Sequence, residues 1–223
     1  MKNYSAFDII GPKMVGPSSS HTAGANRLGR VARKIVKEDI RRVKFLLHGS
    51  FSKTYKGHGT DRALLAGIMG MIESDEELKK SFEIAKKQGI KYEFVETNLG
   101  DVHPNTVKFI IEKSNEEQVE IMGTSIGGGN IIITEINGMR LEFTGKYPTV
   151  ITRHKDYPGV IAKVAKIFSD YHMNIAFMSV YRQDKGQDAF MVIELDNELK
   201  DDLTRNIKSE AEEVRDVYII ESI

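Results

Sequence analysis

The chain has 223 residues, 40% of them hydrophobic, and its 32 basic side chains balance 32 acidic ones. That length suits one large or two small domains, and the balanced charge gives no reason to expect a nucleic acid or an anionic membrane as partner. The cysteine count is zero, which excludes disulfides, thiolate catalysis and a cysteine-ligated zinc or iron–sulfur centre built by this chain alone.

No apolar run approaches the ~20 residues of a membrane span, and the start, Met1-Lys2-Asn3-Tyr4-Ser5-Ala6, lacks the apolar core of a secretion signal. The expectation is a cytoplasmic protein that touches no membrane.

The chain opens with Asp8-Ile9-Ile10-Gly11-Pro12 and a loop containing Gly16-Pro17. The run Ser18-Ser19-Ser20-His21-Thr22-Ala23 then stands ahead of a helix pattern: Leu28, Val31, Ala32, Ile35 and Val36 line one face, and Arg27, Arg30, Arg33, Lys34 and Lys37 the other. This helix should end near Asp39. One hydroxyl would suffice to cap it. Three serines, a histidine and a threonine also suit a carboxylate or phosphate held at a helix start, with Arg27 adding charge one turn in.

Arg42 to Phe51 reads as a strand, placing His48 and Ser50 at its end, and Lys53 to Thr60 reads as a Gly-broken loop. His58 stands between two glycines, where the chain can approach a ligand closely. The segment is either a flexible surface loop or the seat of a general acid/base histidine. Thr60 or Asp61 would cap the apolar helix Ala63 to Ile72, and a charged helix from Glu76 to Gln88 closes at Gly89. Strands follow at Tyr92 to Val95, Val107 to Ile111, Val119 to Met122 and Ile131 to Ile136, then the hairpin signal Asn137-Gly138 with Leu141 to Phe143 returning. Within Gly123-Thr124-Ser125-Ile126-Gly127-Gly128-Gly129-Asn130, the glycines, Gly127 and Gly128 foremost, either cradle an anion with backbone amides or make a bulge or tight turn. Metal ligation is not expected, because His21, His48, His58 and His103 have no i,i+4 pairing.

A seam at Gly145–Pro148 divides the chain into expected domains 1–146 and 148–223. The second reads β-α-β-β-α-β: a strand from Thr149 to His154, a helix stripe of Val160, Val164, Ile167 and Phe168, strands at 174–181 and 189–195, a helix from Leu199 to Val214 and a last strand at 217–220. The turn Asp156-Tyr157-Pro158-Gly159 with Asn174 is either a plain connection or a place for the carboxylate of a free amino acid. The fold class is α+β, an N-terminal α/β domain of substrate-binding type followed by a ferredoxin-like βαββαβ domain.

At these residues a family resemblance becomes specific. Gly16-Pro17-Ser18-Ser19-Ser20-His21-Thr22-Ala23-Gly24, His48-Gly49-Ser50-Phe51, Lys56-Gly57-His58-Gly59-Thr60-Asp61 and Ser125-Ile126-Gly127-Gly128-Gly129 resemble, in order, the motifs of the bacterial iron–sulfur-dependent L-serine dehydratases. From about residue 148 the chain resembles an ACT domain, a small amino-acid-binding regulatory module. Together they are similar to the β subunit of the two-subunit form, and the first half also resembles the allosteric substrate-binding domain of some phosphoglycerate dehydrogenases.

The resemblance implies a division of labour. A [4Fe–4S] cluster held by cysteines of an α subunit acts on the serine hydroxyl, without pyridoxal phosphate, and L-serine becomes pyruvate and ammonium. The chain without cysteine then fits a β subunit that completes the active site. In this reading Ser18, Ser19, Ser20 and Thr22 hold the substrate carboxylate. His58 is the first candidate for the base and His21 the second. His48, Ser50, Lys53, Thr60, Asp61, Gly127 and Gly128 complete the substrate site, and Asp156, Pro158, Gly159 and Asn174 take a regulatory amino acid. A homodimer through the ACT-like half is expected. The alternative is a purely regulatory amino-acid sensor with no catalytic residue. A stand-alone hydrolase using Ser20 and His21 lacks the nucleophile elbow.

Overall fold

A computed structural model describes residues 12–223, so the expected start at Asp8 to Gly11 lies outside the described residues. The chain divides into two compact units, Met1–Asn137 and Gly138–Ile223.

The first unit sets helices against one face of a sheet. Its strands are β1 (Ile40–Leu47), β2 (Lys91–Glu96), β3 (Thr106–Lys113), β4 (Gln118–Gly127) and β5 (Asn130–Ile136), in the order β2-β1-β3-β4-β5, and β6 (Met139–Phe143) falls in the second unit. β1 and β2 run parallel, as their helical connection requires, while β1–β3, β3–β4 and β4–β5 are antiparallel. Val43, Phe45 and Leu47 alternate into the core with Phe109, Ile111 and Ile121. On the opposite face Lys108 bridges Glu120 of β4 at 2.8 Å and Glu135 of β5 at 3.0 Å. One apolar and one charged face fix the register, since a one-residue slip would exchange them.

Among the described residues four α-helices complete this unit: α1 (Ala25–Val36), α2 (Gly49–His58), α3 (Thr60–Ile68) and α4 (Ser81–Lys87). α1 and α3 cross where each has a glycine. A Cβ on Gly29 would strike the Leu64 carbonyl, and one on Gly67 the Asn26 carbonyl. The close crossing lets the Asn26 amide reach the carbonyl of Met71 at 3.1 Å.

Several boundaries differ from the sequence reading. The Ser18–Thr22 run does not precede the helix as a loop; Ser19–Gly24 is a π-helical turn running straight into α1. α1 stops at Val36, because Lys37 takes a positive φ of 59°. The strand expected through Phe51 ends at Leu47: Gly49, at φ 57°, turns the chain against Pro104, whose carbonyl accepts from Ser50 N–H at 2.8 Å. The expected loop at 53–60 is mostly the helix α2. Nothing packs over Gly57, so the helix passes through it, and Gly59 at φ 68° ends it. The apolar helix is shorter than Ala63 to Ile72 suggests, ending at Ile68 before Gly70 at φ 85°. The charged segment is a 3-10 turn, Glu76–Lys80, followed by α4. Asn137 and Gly138 both have positive φ, 50° and 79°, as the hairpin signal requires.

The second unit is ferredoxin-like: β7 (Thr149–Lys155), α5 (Val160–Asp170), β8 (Ile175–Arg182), β9 (Asp188–Leu195), α6 (Leu203–Glu210) and β10 (Val214–Ile220), with sheet order β10-β7-β9-β8. Val164 and Phe168 of α5 and Leu203 and Ile207 of α6 pack with Val150, Met191 and Ile193 into one core. The expected helix from Leu199 to Val214 is cut at both ends, since Val214 already pairs with His154 as the start of β10.

Candidate active site

Three sequence-distant segments meet at the π turn. Ser18 caps it, its hydroxyl accepting from His21 N–H at 3.2 Å. The same hydroxyl lies 3.4 Å from His21 Nδ1, while His21 Nε2 hydrogen-bonds Ser50 Oγ of α2 at 3.0 Å. The imidazole is therefore held at both nitrogens and braced edge-on by Phe51, 5.3 Å between ring centres. The His58 ring lies 4.8 Å from that of His21. Thr22 Oγ1 donates to the His58 carbonyl at 3.3 Å, tying the end of α2 to the turn. Burial, and secondly the facing His58, lower the pKa of His21 below the usual imidazole value. A neutral, positioned imidazole at neutral pH is a proton acceptor.

A groove of about 290 Å³ opens beside this pair, lined by Gly16, Pro17, Thr22, Lys56, His58 and Arg62 among others. Its cations suit an anionic ligand. His58 Nδ1 and Thr60 Oγ1 are buried without a hydrogen-bond partner. Such groups are costly to bury unmatched.

The remaining substrate residues divide. Thr60 is buried at the start of α3 but does not cap it: Gly59 takes that place, without any side-chain cap. Asp61 is no cap either. It is nearly buried, accepts from Arg62 N–H at 2.8 Å, and burial raises its carboxyl pKa. His48 accepts from Leu99 N–H at 3.1 Å, which places it in loop packing. Lys53 is exposed on α2. Gly127, Gly128 and Gly129 form the β4–β5 hairpin turn with φ of 102°, 61° and 79°, the tight-turn alternative. The end of β4 lies against the π turn, since a Cβ on Gly24 would collide with Ser125 Oγ. Arg27 does not add free charge to the serine run, because Glu73 and the Gly129 carbonyl occupy its guanidinium.

In the second unit Asp156, Pro158 and Gly159 stay together at the start of α5, but Asp156 already accepts from Arg182 at 3.1 Å and from Gly186 N–H at 3.2 Å. Asn174 does not join them. It precedes the first residue of β8, whereas Arg182, which meets Asp156, is the last. An eight-residue strand of roughly 25 Å separates the two ends.

Sequence reasoning missed Phe51 and Glu73. Phe51 stands inside a quoted motif and its burial beside His21 follows from its type, whereas Glu73 is one acid in an acidic stretch that no periodicity singles out.

An imidazole pair among hydroxyls in an α/β unit, in a chain that also carries a ferredoxin-like unit, defines a protein of two parts. Comparison with known proteins makes this particular. The chain belongs to the serine dehydratase beta chain family, whose model matches residues 5–136, and an ACT domain model matches residues 149–212. It is 44% identical over 204 residues to the L-serine dehydratase beta chain of Peptoniphilus asaccharolyticus, covering 91% of this chain and 92% of that one. With a probable L-serine dehydratase beta chain of Bacillus subtilis it shares 46% identity over 201 residues, covering 90% and 91%. A D-3-phosphoglycerate dehydrogenase of Methanocaldococcus jannaschii is 28% identical over 198 residues, 88% of this chain but 37% of that protein.

The residues do not fit an iron–sulfur cluster. The chain has no cysteine, and among the described residues no three His, Asp or Glu side chains group as a metal site. Among the described residues no helix is long and apolar enough to cross a membrane.

Proposed function

We propose that this chain is the β subunit of an L-serine dehydratase, acting with an α subunit to convert L-serine into pyruvate and ammonium in the cytoplasm. The observation that carries the reading is the His21–His58 pair, 4.8 Å apart and set among Ser18, Ser50 and Thr22, in a chain so similar to beta chains of that name. A [4Fe–4S] cluster would be held by the α subunit, since the ligands are missing here.

The hydroxyls of Ser18, Ser19 and Ser20 receive the substrate carboxylate, with the hairpin at Gly127 and Gly128 beside them, while the Thr22 hydroxyl, whose proton goes to the His58 carbonyl, holds the turn to the end of α2. Elimination requires loss of the Cα proton. His58 is the first candidate to take it, because its buried Nδ1 has no protein partner and the residue borders the groove. His21, held neutral and fixed by two serines, is the second and otherwise orients His58. As the proton leaves, the Cβ–oxygen bond breaks and water departs. The resulting aminoacrylate tautomerises to the imine and hydrolyses to pyruvate and ammonium. Assistance to the departing hydroxyl is the part this chain does not supply.

The second unit would serve regulation, with Asp156, Pro158 and Gly159 at the start of α5 as its amino-acid contact. Its edge strand β8 leaves Phe177 56% and Val180 41% exposed, which supports a homodimer paired along that edge.

Anaerobic reconstitution with a cysteine-bearing α subunit tests the assignment. Pyruvate should form from serine only when both chains are present. Pyruvate from this chain alone, or none from the reconstituted pair, contradicts it.

A further inference from the structure

Glu73 follows α3 in no motif, yet it is only 8% exposed. Its carboxylate Oε1 accepts from Arg27 Nε at 2.9 Å and Nη2 at 2.7 Å, and Oε2 from Arg30 Nη1 at 3.2 Å. Arg27 extends the chain of contacts, its Nη1 donating to the Gly129 carbonyl at 2.9 Å. The backbone carbonyl of Glu73 meanwhile accepts from Val15 N–H at 2.8 Å, one residue before the Gly16-Pro17 wall of the groove.

We infer that Glu73, through Arg27, is a positioning residue that holds the Gly127–Gly129 hairpin in register with the Ser18–His21 turn. Three successive glycines at positive φ have wide backbone freedom and no side chains by which to anchor themselves. The Asn130 amide holds the Gly127 carbonyl at 3.1 Å within the hairpin, and the Arg27 fork ties Gly129 to α1. A guanidinium can grip a carboxylate with one edge and a carbonyl with the remaining nitrogen, a geometry the compact ammonium of lysine lacks. Arg30 supplies an internal control: it pairs with the same carboxylate and makes no contact with the hairpin that the structure records.

This inference rests on the reading that the turn and hairpin hold serine. The test uses the enzyme reconstituted with its α subunit and compares Glu73→Gln, Arg27→Gln and Arg30→Gln by steady-state serine kinetics, with assembly checked by gel filtration. Loss of positioning should raise KM about five- to tenfold for Glu73→Gln and Arg27→Gln, with kcat within about twofold, while Arg30→Gln changes both by less than about twofold. An Arg30→Gln effect equal to that of Glu73→Gln would show a merely structural ion pair and overturn the inference. So would an unchanged KM in Glu73→Gln. If Arg27→Gln fails to assemble, the isosteric Glu73→Gln decides alone, and its own failure to assemble would assign Glu73 to folding and also overturn the inference. If His21→Ala and His58→Ala both leave turnover unchanged, the site reading itself fails, an outcome separate from these.

Discussion

The polar groups of the two units are used in opposite ways. Around the π turn of the first unit, His58 Nδ1, Thr60 Oγ1 and Ser125 Oγ are buried without partners, and two imidazoles face each other. In the second unit the groups of the turn at 156–159 are matched internally: Asp156 with Arg182 and Gly186, and nearby Asp188 with Arg153 at 2.7 Å and Lys155 at 3.0 Å. Unmatched buried groups cost stability and are retained where a ligand completes them, whereas matched ones add modest stability and leave little for a ligand to satisfy. The contrast supports the proposal of reaction chemistry in the first unit, and any ligand at the second would compete with existing bonds.

The largest effect should come from breaking the packing beneath the first site. Gly67→Leu drives a side chain into the backbone of α1 at Asn26 and Arg30, and should cost about 3 kcal/mol, read from urea unfolding. A cost below about 1 kcal/mol would show that α1 and α3 separate easily and that the site is not rigidly founded.

Acid should expose the next difference. His21 and His154 both have lowered folded pKa values, chiefly through burial. The unfolded chain then binds more protons below the ordinary imidazole value of 6.5, so their contribution is complete above that pH and is lost as pH falls through the lower folded values. Urea midpoints should therefore drop between about pH 7.5 and about pH 5.5, and His154→Gln should reduce the drop.

Ser50→Ala frees His21 Nε2 and should reduce kcat about three- to tenfold in the reconstituted enzyme, with KM less affected. The smallest effect belongs to Asp188→Asn in the second unit. Lys155 and Arg153 hold Asp188 at a pKa of about 2, so its contribution is present above the ordinary 3.8 and lost as pH falls through about 2. This substitution should leave serine turnover unchanged and cost about 1 kcal/mol or less at neutral pH, with a flatter acid limb in the stability curve.

Much of this architecture was legible in the sequence, and the reasons are physical. Alternation in Val43, Phe45 and Leu47 and the Asn137-Gly138 pair report directly on local backbone, and the second unit's βαββαβ order follows from such signals. The helix α2 was not legible, because its glycines suggest a loop. It forms because its first turn is tied to Pro104, a contact 54 residues away from Ser50 in the chain. His21, Ser50 and His58 stand in motifs that the sequence shows, but their geometry was not readable there. The pairing of His21 with Ser50 and His58, and the seizure of Arg27 by Glu73, depend on how α1, α2 and α3 pack. Asn174 illustrates the converse error: two turn signals can share a small domain and still lie at opposite ends of one strand.

The central claim is that the histidine pair of the first unit carries proton transfer for the reaction. Its most direct test is serine turnover by the reconstituted enzyme carrying His58→Ala, with subunit assembly and cluster content measured on the same sample. Assembly should stay intact and kcat should fall by about a hundredfold or more. Turnover within about twofold of the unsubstituted enzyme, in this variant and in His21→Ala alike, would contradict it.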